Sequence, residues 1–439
     1  MSADILEQML VQRQELAQEL VDRIRESATT PIKHYTLLIG PRGIGKTHLI
    51  SLIYNRVDRQ KKLRDRLLIA WLSEDNWSIT SFLKLIVSIF SALKKEYSEI
   101  YKNQLQQKVE NLYSSPETAE QTAVELLKDF IGDRTLLLLV ENLDQIFDGL
   151  GDSGQKQFLA FLQQSNCCTI IATSPSLFNE VNNKKAPFYN FFRIWELKDL
   201  TAEDAAQLLL NVATIQGDRK LTDFIASPSG KARIQAVHHS AGGNPRVYVI
   251  FSQFLTRESL DELVKPFMRM LDDLTPYYQS RMQSLSPQQR EIVEFLCDRR
   301  HAVSVKEIAE RCFITHQTAS SQLKTLRNLG YATAEAIGRE SYYELREVLM
   351  RFCLDVKKQR GEGTIQLFVD FLRIWYTREE LQQRLELGIA DIRHIIGVDI
   401  AEQLLNTKPD ILPFELMKSL PSNAAMEIEY LRHALELGE

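Results

Sequence analysis

Five short apolar runs, Tyr35 to Ile39, Leu67 to Leu72, Leu136 to Val140, Cys168 to Thr173 and Phe191 to Leu197, are separated by stretches with helical spacing of hydrophobic residues. Runs of this length with little internal alternation predict strands buried on both faces. A helix is predicted over Ile5 to Arg25, with Leu16, Leu20, Val21 and Ile24 on one face, and another over His48 to Val57. A long helical region follows from Ile79 to about Ile131, interrupted near Ser114-Ser115-Pro116, and a further helix runs from Gln155 to Gln164. Helices alternating with buried strands predict a parallel sheet covered on both sides. From Thr201, which caps a run carrying Ala205, Leu208, Leu209 and Val212, the pattern is helical as far as Gly242.

The pattern changes after Ser286-Pro287. Helices are predicted over Gln288 to Cys297, over Val305 to Arg311 with Ser304 as cap, and over Thr315 to Leu329, where Ala319, Leu323 and Leu326 form the buried face and Gly330 is the stop. Tyr331 to Leu345, with Gly338-Arg339 between two β-rich halves, reads as a hairpin wing. This stretch looks like a winged helix-turn-helix of the MarR-like kind, whose third helix enters the major groove. Gln317, Ser321 and Lys324 would then face base edges, and Arg327 and Arg339 phosphates. Winged helices also serve as packing modules. Beyond Glu347 the reading is all helical, including Phe368, Phe371, Leu372 and Trp375 at core-like spacing.

Composition narrows the partners. The 439 residues carry 53 Lys+Arg against 58 Asp+Glu, a formal charge of −5 that offers no overall field for nucleic acid. A local patch must supply any such binding, and Cys297 to Arg346 holds eight basic and six acidic residues, a net of only 8 − 6 = +2. Asp4 and Glu7 stand where a secretory signal would be positive, and no apolar run reaches membrane-spanning length, so a cytoplasmic protein without membrane contact is expected. Five cysteines without metal-ligand spacing read as small buried residues.

The most informative residues follow the first strand. Gly40-Pro41-Arg42-Gly43-Ile44-Gly45-Lys46-Thr47 fits the phosphate-loop pattern G-x-x-x-x-G-K-[ST], with His48 opening the next helix. Glycine lets the backbone wrap a phosphate, Lys46 supplies a point charge and the Thr47 hydroxyl a ligand for Mg²⁺. At the end of the LLLLV strand stands Glu141-Asn142-Leu143-Asp144. Glu141 at the metal position leaves Asn142 where a catalytic carboxylate belongs, and an amide cannot take the proton of water. A one-residue shift of register would make Glu141 the base and leave the metal position without an acid. Either alignment predicts slow hydrolysis. Asp144 either coordinates through water or is an exposed turn residue. The polar tip Thr173-Ser174 can touch a terminal phosphate, Arg193 is either a finger for a neighbouring subunit or a solvated arginine, and Gly242-Gly243-Asn244-Pro245-Arg246 brings Arg246 to a helix start.

These motifs together resemble an AAA+-related P-loop ATPase of the signal-transduction (STAND) and origin-recognition-like branch. The likeness covers about Ile5 to Leu271. It implies a five-stranded parallel sheet with a helical lid, ATP and Mg²⁺ as ligands, Lys46 and Thr47 on phosphate and metal, Glu141 near the metal, Thr173 or Ser174 as first sensor, Arg246 as second, and an adenine pocket near Arg13 and Glu15. The expected order is a P-loop core over 1–200, a lid over 201–284, a winged helix over 285–346 and an all-α tail over 347–439. The expected activity is a slow, nucleotide-switched ATPase that oligomerises on ATP and associates with DNA. The alternative is an assembly scaffold whose winged helix is structural and whose tail recruits a protein effector.

Overall fold

The computed structural model describes residues 2–74, 79–114, 116–252, 260–299, 302–337, 340–347, 350–351, 353–354, 379, 382–383 and 386. The helices expected around Phe368 to Trp375 and beyond, and Arg339 at the wing tip, lie outside the described residues. The chain divides into two compact units, Met1–Lys198 and Asp199–Glu439.

The first unit contains α1 (Ala3–Gln8), α2 (Gln14–Thr29), β1 (Tyr35–Ile39), α3 (Lys46–Asp58), α4 (Lys61–Arg64), β2 (Leu67–Leu72), α5 (Phe82–Glu96), α6 (Ser98–Gln104), α7 (Gln106–Leu112), α8 (Ala119–Ile131), β3 (Thr135–Val140), α9 (Leu143–Ser165), β4 (Cys168–Ser174), α10 (Asn179–Asn182) and β5 (Arg193–Glu196). All five strands are parallel, in the order β2-β3-β4-β1-β5. Every residue of β3 and β4 is buried, which is why neither alternates in sequence. Successive side chains enter opposite layers. Leu136, Leu138, Val140, Ile170 and Ala172 pack with α5, α8 and α9, whereas Leu137, Leu139 and Ile171 pack with α2 and α3. Truncating any of these leucines to alanine costs about 2–5 kcal/mol.

Four expectations about local structure need correction. The predicted helix from Ile5 to Arg25 is broken, with Gln12 at φ 67° between α1 and α2, and the break lets Arg13 turn inward. The region from Ile79 to Ile131 is also divided at Tyr97 and Leu105. The helix expected to begin at Gln155 begins at Leu143, kinked at Gly151. Gly149 breaks nothing there, because a Cβ would lie 2.0 Å from the Ile79 carbonyl oxygen and close approach explains the glycine. The last strand shortens to Arg193–Glu196, since Phe191 and Phe192 join Phe147 and Phe188 in an aromatic cluster.

The second unit comprises α11 (Ala202–Gln216), α12 (Arg219–Ala226), α13 (Pro228–Ala241), α14 (Pro245–Phe251), α15 (Leu260–Gln283), α16 (Pro287–Asp298), β6 (Val303–Ser304), α17 (Val305–Arg311), α18 (His316–Asn328), β7 (Ala332–Ile337) and β8 (Glu340–Leu345). Thr201 and Asp204 form a reciprocal capping box at α11, worth about 1 kcal/mol. The strands form an antiparallel sheet in the order β6-β8-β7 against α16, α17 and α18, a winged helix-turn-helix. No helix among the described residues is long and apolar enough to cross a membrane.

Candidate nucleotide site and nucleic-acid interface

The loop after β1 leaves the sheet at its carboxyl edge and ends in the left-handed Gly45, which precedes α3 without any side-chain cap. The first N–H groups of α3 therefore have no side chain of Gly45 over them, the arrangement that receives an anion. Ile44 is fully buried and pins the loop to the layer under β1. Gly45 has φ 99°, and a Cβ there would meet Arg13 Nη1 at 3.0 Å. Arg13 donates from Nη1 to the Ile44 carbonyl at 2.5 Å and from Nη2 to the Lys198 carbonyl at 2.8 Å, bracing the loop from behind. Arg42, at the exposed rim, lies 3.7 Å from Glu74.

Lys46 Nζ donates to the carbonyls of Gly40 at 2.7 Å and Pro41 at 3.2 Å. Burial pulls its pKa down to about 8, against the attraction of Asp144 and Glu74. Thr47 Oγ1 donates to Glu141 Oε2 at 2.7 Å, so the two oxygen groups expected to hold a divalent cation meet. A hydroxyl and a carboxylate are the hard oxygen donors Mg²⁺ takes. Trp71 Nε1 donates to the other carboxylate oxygen at 3.0 Å and fixes its orientation. The sequence reading missed Trp71; its signal is the pairing of β2 with β3, which sets Trp71 beside Leu139, two residues before Glu141.

The other predicted residues lie in separate surroundings. Asn142 is left-handed at φ 52°, heads α9, and donates its backbone N–H to Thr173 Oγ1 at 3.2 Å, so Thr173 holds the strand tip together. Ser174 is buried and donates to the Ser176 carbonyl at 2.7 Å, while its own carbonyl accepts from Gly40 N–H. His48 turns its ring away to the Leu6 carbonyl at 3.0 Å, and burial lowers its pKa. Arg193 pairs with Thr36 at the amino end of β5, opposite the loop of its own chain, and lies 3.5 Å from Glu19 and over the Trp195 ring. Arg246 follows Pro245 in the first turn of α14, where Asn244 accepts its backbone N–H.

Asp144 is not the exposed turn residue of one expectation. It occupies the first turn of α9, half-buried, with Oδ1 lacking a hydrogen-bond partner. Burial raises its pKa, opposed by its own N–H, Ser174 and Lys46.

In the winged helix, α18 buries Ala319, Leu323 and Leu326 and exposes Gln317, Ser321, Lys324 and Arg327, which line one shallow groove with His316, Ser320 and Tyr343. Tyr343, from β8, is absent from the sequence reading because only folding sets a wing residue beside the helix. The described part of the wing carries three exposed glutamates, Glu335, Glu340 and Glu344, whereas α18 has no acidic residue.

Comparisons with known proteins bear on both parts. Residues 283–339 match the family model described as MarR family. An uncharacterized HTH-type transcriptional regulator of Methanocaldococcus jannaschii is 22% identical, over 71% of this chain and 82% of its own length. A Walker-type ATPase of Pyrococcus abyssi superposes with a TM-score of 0.52 at 15% identity, covering 79% of this chain and 96% of that one. The ORC2 protein of Aeropyrum pernix, solved as ADPNP-ADP complexes, superposes with a TM-score of 0.54 at 11% identity, covering 80% and 95%. The chain thus has the fold of the Pyrococcus abyssi Walker-type ATPase and the Aeropyrum pernix ORC2 protein, with its own phosphate loop after β1 and a MarR-like winged helix over residues 283–339.

Proposed function

We propose that this protein is an ATP-binding, slowly hydrolysing switch that couples nucleotide state to DNA association through its winged helix. The observation that carries it is the meeting of Thr47 and Glu141 beside Lys46 at the start of α3, a complete set of groups for a Mg²⁺-bound triphosphate. Bound Mg²⁺ would neutralise phosphate charge. Lys46 would turn from its loop carbonyls toward the phosphates, and Thr47 with Glu141 would hold the metal. Asn142 cannot act as base. Asp144 is the carboxylate we assign to orient the attacking water, since it is half-buried close to Lys46 and Ser174 and its pKa is raised. Arg246 is assigned to reading the terminal phosphate, and Arg193 to a neighbouring subunit in a nucleotide-dependent oligomer. On the recognition helix, Gln317, Ser321 and Lys324 would face bases and Arg327 the backbone.

The supporting experiment measures phosphate release by the purified chain. Turnover below about 1 s⁻¹ is expected, dependent on Mg²⁺. Asp144→Asn should lower release at saturating ATP by at least about tenfold, and unchanged release would remove Asp144 from that role. The alternative reading, an assembly scaffold with a structural winged helix and an effector-binding tail, draws its support from Glu335, Glu340 and Glu344, which repel phosphate on the wing. DNA binding that is absent with every nucleotide would favour it.

A further inference from the structure

A buried polar chain crosses the second unit from the Gly242-Gly243-Asn244-Pro245-Arg246 motif to the winged helix. Asn244, which caps α14, donates from Nδ2 to the Tyr277 hydroxyl at 3.0 Å. One turn further along α15, Arg281 donates from Nη1 to the same hydroxyl at 3.2 Å and to Glu347 Oε1 at 2.5 Å. Tyr278 donates to the second oxygen of Glu347 at 3.0 Å. Arg281 also stacks on Tyr331, with 4.5 Å to the ring centroid, and its backbone carbonyl accepts from the Tyr331 hydroxyl at 2.9 Å. Tyr331 directly follows the end of the recognition helix and its glycine stop, and Glu347 directly follows the last wing strand and Arg346. A second contact repeats the connection, because a Cβ on Gly242 would lie 3.8 Å from Glu347 Cγ.

Asn244, Tyr277, Tyr278, Arg281 and Tyr331 are all buried. A buried ion pair adds little net stability compared with apolar residues of the same volume. What a fully hydrogen-bonded buried network supplies is a fixed geometry, and it resists intermediate arrangements. Burial alone would lower the pKa of Arg281, yet Glu347 and the tyrosines hold it well above the ordinary value, so the charge persists.

We infer that Tyr277 and Arg281 are positioning residues that transmit the state of the Asn244–Arg246 motif to the recognition helix, with Glu347 and Tyr331 as the receiving contacts. The inference rests on the proposed reading in which Arg246 responds to the terminal phosphate. A displacement of α14 moves Asn244, and the Tyr277 hydroxyl must then follow it or give up one of its two donors. Arg281 and Glu347 carry the choice to both ends of the α18–wing segment. Among the described residues, Tyr277 is the node where the two halves meet.

The test is the ratio of DNA dissociation constants with ADP and with ATP, using the full chain and a short mixed-sequence labelled duplex. Tyr277→Phe deletes the shared acceptor and nothing else, and Arg281→Met with Glu347→Met replaces the ion pair by apolar side chains of similar length. A wild-type ratio of fivefold or more is expected, in the usual range of site-to-site coupling. In both variants the ratio should fall to within about twofold of unity, with ATP affinity within about threefold of wild type. A structural role alone would shift thermal stability and leave the ratio intact. A wild-type ratio retained by Tyr277→Phe overturns the inference while leaving the nucleotide-linked reading in place. A wild-type ratio of one overturns that reading and the inference with it. Should the double variant not fold, Tyr277→Phe decides alone.

Discussion

The helix after the phosphate loop, α3, and the third helix of the winged module, α18, are both 13 residues long, and their starts are built in opposite ways. α3 begins with a left-handed glycine and no side-chain cap, so its backbone N–H groups are what the site offers. α18 begins with Thr315, whose hydroxyl accepts the Thr318 N–H, so that end is already served by its own chain. Its exposed side chains are left to act. The first site is held by burial, with Ile44 in the core and Arg13 behind the loop, whereas the second rests on a stripe of three buried residues and displays the remainder. A backbone site tolerates almost no change in its glycines, while a side-chain site can be altered one contact at a time.

Substitutions should separate the two sites, beginning with the largest effect. Lys46→Ala should weaken ATP binding at least about 100-fold, near 2.7 kcal/mol, in calorimetric titration. An affinity within about threefold of wild type would remove the loop from nucleotide binding. The same lysine predicts a pH dependence. Its pKa lies at about 8 in the free protein, and an anionic phosphate raises it on binding, so binding takes up a proton. ATP affinity should be level below pH 8 and decline above it, and the decline should be missing in Lys46→Ala.

Changes on α18 should be smaller and of another kind. Lys324→Ala with Arg327→Ala should reduce the slope of log affinity for DNA against log salt by about 0.9, the share of the one phosphate contact assigned to Arg327. ATP affinity should not move. An unchanged slope would exclude this face of the helix. The smallest effect belongs to Thr315→Ala, which removes a cap worth about 1 kcal/mol. It should lower the denaturation midpoint and leave the salt slope unchanged, whereas a changed slope would mean the helix start itself meets phosphate.

The same contrast explains what was readable in the sequence. The phosphate loop is contiguous, so its eight residues and its two flanking elements were visible in one motif, and the four buried strands announced themselves by composition, whereas β5 at the sheet edge is largely exposed despite its apolar run. Contacts made across the sheet were not visible. The support of Glu141 by Trp71 depends on β2 lying beside β3, and the inward turn of Arg13 depends on a break at Gln12 that helical spacing alone did not mark. Asp144 was recognised as an acid near the site, yet its partial burial and unpartnered oxygen emerge only once α9 begins at Leu143. On the winged helix, the buried spacing of Ala319, Leu323 and Leu326 determined which side chains are exposed, and this is why Gln317, Ser321, Lys324 and Arg327 were found together. Tyr343 and the chain from Asn244 to Glu347 join residues far apart in sequence and left no local trace.

In the proposed reading, nucleotide state and DNA association are linked in one molecule. That link is tested most directly by titrating the intact protein with a labelled duplex, without nucleotide, with ATP and with ADP, at two salt concentrations. Binding should weaken with salt and differ at least about fivefold between ATP and ADP. Equal affinity in all three nucleotide conditions, or no binding at the lower salt, would contradict that reading.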